Sequence, residues 1–186
     1  MGTDKALLEL TGKPLIARSI EAARAVVPDV KIVGDPVKFA AFGPVIDDVY
    51  RDRGPLGGIH AALASSQAEL NLILAVDTPF VSAQFLRYLL ARAESSGATV
   101  TVPSINGYFQ PLCGVYCKPF LAVADRALSR GKNKIDQLFR DVTLCVVGEE
   151  EMAANGFEAS IFRNLNTPEE WRAAKINLAA GSETDS

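Results

Sequence analysis

Hydrophobic positions recur along this chain with two periods. Ile16, Ile20, Ala23 and Val27 are spaced by four, three and four, which predicts a helix opened by Pro14 and ended by Pro28-Asp29. Leu72 to Val76 is instead an unbroken apolar run, closed by Asp77-Thr78-Pro79. A run this short reads as a strand buried on both faces, as at the centre of a parallel sheet. Pro79 has no N–H for a ladder, so the strand stops before it. Between these two stretches the same rules predict short strands at Val30–Val33 and Val45–Ile46. One helical turn falls at Phe39–Phe42, and a helix opens at Pro55 in GPLGGIHAALASS. Upstream, Lys5–Leu10 is a short apolar piece and Thr11–Pro14 a turn.

The second half continues the alternation. Ser82 caps a helix whose buried stripe is Phe85, Leu86, Leu89, Leu90 and Ala93, and Gly97 closes it. Ala98–Pro103 and Tyr108–Tyr116 read as a β-hairpin around the turn Ser104-Ile105-Asn106-Gly107. Helices follow at Phe120–Leu128 and Ile135–Phe139, then a strand at Thr143–Val147 and an edge piece at Ile161-Phe162. Thr167-Pro168-Glu169-Glu170 is a helix start, with Thr as cap and Pro at the first position. Alternating strands and helices predict an α/β three-layer domain with a mostly parallel sheet. No repeat or linker divides it, so residues 1–180 form one domain and 181–186 a polar tail.

Composition narrows the function. Hydrophobic residues make up 48% and charged residues 22%, which is ordinary for a globular protein. A net charge of −3 gives no basic face for nucleic acid. No apolar run nears the roughly 20 residues of a membrane span. The first residues, MGTDKALLEL, lack the basic start and apolar core of a signal peptide, and Ala6 stands where myristoylation prefers Ser or Thr. Cys113, Cys117 and Cys145 form no paired framework and read as small buried hydrophobes. The expected compartment is the cytoplasm.

The candidate chemistry sits at strand ends, where open α/β sheets bind ligands. Asp77 closes the long apolar run. It suits Mg²⁺, which takes one or two carboxylates plus substrate phosphates, and it equally suits an Asx-turn or helix cap. Asp48 ends the strand at Val45-Ile46. The Gly54 loop leads into a helix whose N-terminus offers free N–H groups to an anion, or is a plain loop-to-helix turn. Lys5 is a point charge for phosphate or an ordinary surface lysine. Asn164 and Asn166 are ligand groups or turn residues. His60, the single histidine, lies among alanines and reads as surface or packing. Without a second histidine there is no Ser-His-Asp relay. The reaction is expected to need metal and positioning rather than a protein base, and phosphoryl or nucleotidyl transfer fits.

Four blocks in order, MGTDKALLELTGKPLIARSIEA, VIDDVYRDRGPLGGIHAAL, LILAVDTPFVS and FRNLNTPEEW, cover nearly the whole chain. Together they resemble the molybdenum cofactor guanylyltransferase (MobA) family. The resemblance implies a Rossmann-like nucleotidyltransferase fold. It also implies transfer of GMP from GTP to the molybdopterin cofactor, with release of pyrophosphate. By this resemblance Lys5 and Asp77 are catalytic: Lys5 contacts the nucleotide phosphates, and Asp77 binds Mg²⁺ with the triphosphate. Asp48 and Gly54 help hold the guanine nucleoside. Asn164 and Asn166 lie toward the acceptor. Molybdoenzyme maturation proteins are a further partner class. Family members carry a first strand and the signature L-A-G-G-x-S-x-R ahead of the block that begins at Met1 here. Roughly 15–20 residues, one mid-sheet strand and its phosphate loop, are therefore expected to be absent. Their loss would bare the edges of two neighbouring strands. Gly34 stands where many members place a nucleotide-contacting asparagine, so no side-chain role carries over. The alternatives are a related enzyme using another base or acceptor, cytidylyl or sugar-phosphate, and an inactive nucleotide-binding remnant.

Overall fold

The computed structural model describes residues 4–47, 50, 53–165, 170–171 and 174. The chain enters through a 3-10 turn at Lys5–Leu7, capped by Asp4, whose carboxylate accepts from Ala6 N at 3.2 Å. Strands β1 (Glu9–Leu10) and β2 (Lys13–Pro14) make a tight antiparallel hairpin over Thr11 and Gly12, both at positive φ. Helix α1 (Leu15–Arg24) buries Leu15, Ile16, Ile20 and Ala23. It stops three residues short of Val27. β3 (Ile32–Val33), α2 (Pro36–Phe39) and β4 (Val45–Ile46) follow, with β3 and β4 parallel. α2 is short but well capped: Asp35 accepts from Val37 N at 2.9 Å, and Pro36 holds the first position.

Helix α3 (Pro55–Ser65) returns the chain to the starting end of the sheet, so β5 (Leu70–Leu74) points the same way as β4. α4 (Ala83–Ser96) is capped by Ser82 and closed by Gly97 at φ +61, as its sequence predicts. β6 (Val100–Ile105) turns at Asn106-Gly107 into β7 (Tyr108–Phe109), and after Gln110–Leu112 the chain enters β8 (Cys113–Cys117). The expected single strand Tyr108–Tyr116 is thus two, broken at Pro111, which has no N–H to donate. α5 (Phe120–Ser129), α6 (Ile135–Leu138) and β9 (Leu144–Val147) complete the layers. α7 (Glu149–Ala154), not marked by the apolar pattern, follows at once. The expected edge strand at Ile161-Phe162 is instead part of a 3-10 turn, Ala159–Phe162. The expected helix start at Thr167–Glu169 lies outside the described residues, while Glu170, Trp171 and Ala174 are helical.

The larger sheet runs β5-β8-β6, with β7 and β9 also paired to β6. The tight turn at Asn106-Gly107 reverses the chain, and β7 and then β8 run back along one edge of β6, both antiparallel to it. β8 lies reversed between β5 and β6, while β9 is parallel to β6. β5, β6 and β9 therefore share one direction, and the domain is α/β as expected. The fully buried strand is β6, not β5. Val100 and Thr101 have partners on both edges and Val100 to Pro103 are buried, whereas β5 is only half-buried along its length. Helices α3 and α5 cover one face, burying Leu56, Ile59 and Leu63 against Phe120 and Leu128. α1 and α4 lie on the other. There Phe85 is fully buried between the edges of Phe157 and Phe162, at centroid distances of 5.2 and 5.5 Å.

A brace ties α4 to α7. The Glu151 carboxylate accepts from Tyr88 Oη and Arg92 Nε, each at 2.6 Å. The Tyr88 hydrogen bond, then Arg92, holds the Glu151 carboxyl below its ordinary value. Two outcomes follow. Phe85→Ala should cost about 3–5 kcal/mol of folding free energy, read from the denaturant midpoint. The Glu151 contribution is present above the ordinary pKa of 4.5 and is lost as pH falls through the lowered folded value. Glu151→Gln should therefore flatten the acid limb of a stability-against-pH curve while leaving its shape above neutrality unchanged.

Candidate active site

Two shared hydrophobic clusters and one cavity gather the candidate residues at the carboxyl ends of β3 and β5. Ala6, next to Lys5, packs in one cluster with Ile32 of β3 and Val76, the residue before Asp77. Leu10 and Leu15 pack in a second with Phe80 and Leu165, the neighbour of Asn164. Arg163 stacks over the Phe80 ring at 4.9 Å, which pins the 163–165 segment to the turn after Asp77. Gly54, Gly34 and Val76 meet at the rim of a single cavity between β3 and β5. Lys5, Gly54, Asp77 and Asn164 therefore belong to one end of the molecule. Asp48 and Asn166 lie outside the described residues.

Each group has a local cause. Asp77 is half-buried in the turn that ends β5. That turn is fixed by the Thr78 hydroxyl donating to Ala75 O at 3.1 Å and Val81 N donating to Thr78 O at 3.2 Å. Thr78 thus does the turn chemistry. Among the described residues no hydrogen bond or ion pair engages the Asp77 carboxylate, which leaves it available for a cation. Among the described residues no three His, Cys, Asp or Glu cluster as a metal site. One open carboxylate fits Mg²⁺, which commonly takes one or two from the protein and the rest from water and phosphate. Lys5 is half-buried in the turn that Asp4 caps. A second cation stands beside it: Lys38 Nζ, on α2, lies 3.2 Å from Asp4 Oδ2. Nothing in the sequence marks that pair, which is 34 residues apart. Asn164 is exposed.

Gly54 caps α3 at φ +63 and ψ −155, a conformation open essentially to glycine alone. A Cβ there would meet nothing within 4 Å. The glycine is required by backbone shape, not by crowding.

His60 settles to packing rather than surface. It is buried, with Nε2 3.5 Å from Asp125 Oδ1 and its ring edge-on to Tyr50 at 4.9 Å. Tyr50 Oη also donates to Asp125, at 2.9 Å, and that bond raises the phenol's pKa. This network sits between α3 and α5, away from Asp77. Burial pushes the Cys113 thiol up to about 12 and raises Cys117 as well, so neither supplies a thiolate near neutrality.

The profile of the MobA-like NTP transferase domain matches residues 1–164. The chain belongs to the MobA-like NTP transferase family. A molybdenum cofactor guanylyltransferase of Desulfosudis oleivorans is similar at 31% identity, over 97% of this chain and 90% of that one. The crystal structure of molybdopterin-guanine dinucleotide biosynthesis protein A from Archaeoglobus fulgidus superposes with a TM-score of 0.82. It is 25% identical and covers 96% of this chain and 92% of its own. A 2-C-methyl-D-erythritol 4-phosphate cytidylyltransferase from Thermus thermophilus shares the fold at TM-score 0.70 and 15% identity, with 94% of each chain covered. This MobA-like NTP transferase is therefore a nucleotidyltransferase by family. Among its described residues no helix is long and apolar enough to cross a membrane.

Gly54→Ala should destabilise the MobA-like domain by about 1–3 kcal/mol through backbone strain alone. A shift of the denaturant midpoint without a change in secondary-structure signal would show it.

Proposed function

We propose that this chain transfers GMP from GTP to the molybdopterin form of the molybdenum cofactor, releasing pyrophosphate and leaving a molybdopterin guanine dinucleotide. The observation that carries this reading is the Asp77 carboxylate, unengaged among the described residues and set on the rim shared by Lys5 and the open start of α3. Similarity over nearly the whole chain to a molybdenum cofactor guanylyltransferase supports the choice of base and acceptor.

The chemistry asks little of a protein base. The attacking group is a terminal phosphate, already anionic at neutral pH. The barrier lies in bringing two anions together and stabilising the charge that moves to the leaving pyrophosphate. Lys5 holds the nucleotide phosphates. Lys38, an exposed cation on α2, adds positive potential to the approach. The first N–H groups of α3 after Gly54 serve the nucleoside, and the family resemblance assigns Asp48 the same role. Asn164 orients the acceptor, and Asn166 is assigned the same side. Asp77, with water and phosphate oxygens, holds Mg²⁺, which when bound neutralises the crowded phosphate charge.

Calorimetry with Mg²⁺·GTP, with CTP as competitor, tests the base. GTP should bind and CTP should not displace it at equal concentration; displacement would move the chain to the cytidylyl class. Asp77→Ala should lower pyrophosphate release by about 100-fold or more while leaving the circular dichroism unchanged. Transfer that survives that change removes Asp77 from the metal role.

A further inference from the structure

Several cations of this chain are spent on holding the fold. Arg92 gives its Nε to Glu151, Arg18 gives Nε and Nη2 to Leu10 O, and Lys118 Nζ closes the end of α3 on the carbonyls of Leu63 and Ser66. Arg163 is used differently. It is exposed, and among the described residues its guanidinium makes no hydrogen bond or ion pair. It lies instead over the ring of Phe80, 4.9 Å from the centroid.

The backbone that carries Arg163 is fixed on both sides. Phe162 before it is buried edge-on against Phe85, and Leu165 after it is fully buried in one cluster with Leu10 and Leu15. Arg163 N donates to Ser160 O at 3.1 Å and closes the 3-10 turn. Phe80 packs in the same cluster as Leu165 and follows Asp77 in the turn that ends β5. The cation is thus held at the turn that presents the candidate metal carboxylate, beside the exposed Asn164. Stacking engages the face of the guanidinium and fixes its plane, which leaves the N–H groups along its edge for a ligand. Arg163 is also the only basic residue between Phe157 and Leu165.

We propose that Arg163, held flat on Phe80, binds the terminal phosphate of the molybdopterin acceptor and aims it at the nucleotide. The assignment rests on the transfer reading above and names the residue that receives its acceptor. The acceptor arrives as an anion at a rim already crowded with phosphate charge, and Asn164 and Asn166, assigned to its side, are neutral. A planar guanidinium matches two phosphate oxygens at once, which a lysine cannot do. Two of the three terminal oxygens rest on that fork and the third attacks. It forms a bond to the α-phosphorus of GTP as the bond from that phosphorus to pyrophosphate breaks, and the electron pair leaves on pyrophosphate. Arg163 keeps its proton throughout. Its charge offsets the repulsion between acceptor and triphosphate.

Calorimetry on the full chain tests this with molybdopterin and with the same molecule stripped of its terminal phosphate, with Mg²⁺·GTP measured in parallel. The wild-type chain should bind the phosphorylated form about 10- to 100-fold more tightly. Arg163→Gln, neutral and similar in length, should bring the two affinities within about threefold of each other and leave the GTP affinity unchanged. Arg163→Lys should keep an intermediate preference. Phe80→Leu keeps the charge and removes its platform, and should lower the preference by about threefold. It also decides the matter if Arg163→Gln fails to fold. An unchanged preference in Arg163→Gln or in Phe80→Leu overturns the proposal, as does equal binding of the two forms by the wild-type chain. So does an equal loss of GTP affinity in Arg163→Gln, which would give the residue to the nucleotide. A wild-type chain that binds Mg²⁺·GTP and neither form of molybdopterin overturns the transfer reading together with this assignment. A preference that survives Arg163→Gln overturns the assignment alone.

Discussion

The ladder between β5 and β8 sets the geometry on which the candidate site depends. Five residue pairs, from Leu70 against Cys117 to Leu74 against Cys113, fix the register, and the bond from Ala75 N to Leu112 O is the last rung. Beyond it the chain is free to turn, and it does so at once through Thr78. The end of the ladder therefore fixes where Asp77 stands. A slip by one residue would exchange the faces of Leu72 and Ile73, which pack on opposite sides of the sheet, and would carry Asp77 with them. Burial of those side chains is what holds the carboxylate at the rim.

Around that ladder the sequence is read most easily where a local device decides the conformation. Ser82 and Gly97 bound α4, and Asn106-Gly107 makes the hairpin turn, because caps and positive-φ turns are settled by a few adjacent residues. The candidate site was legible in part for a related reason. Lys5, Gly54 and Asp77 each sit at the end of an element, and α/β topology sends such ends to one rim.

What the apolar pattern could not settle is neighbourhood. It marks β5 as buried on both faces, yet β6 holds that position, because among the described residues β6 is paired on both edges, by β8 and by β9, and β5 only by β8. It marks Ile161-Phe162 as strand, although Phe162 is buried by a 3-10 turn that sets its ring against Phe85. The stacking of Arg163 on Phe80, the Lys38–Asp4 pair and the Tyr50–Asp125–His60 network all join residues far apart in sequence. No period or spacing records such contacts. His60 shows the limit well: its alanine neighbours are compatible with exposure, and only α5 packing over α3 buries it.

The break between β3 and β5 also bears on mechanics. Gly34 stands on one side of it and Asp77 on the other, and within the sheet no backbone hydrogen bond joins the two sides among the described residues. The span is carried by α1 and α3, that is, by side-chain packing. A hydrogen-bonded ladder resists sliding because every rung breaks at once, whereas packed helices shear by small steps. Among the described residues the width of the rim is accordingly set by helix packing and not by a ladder.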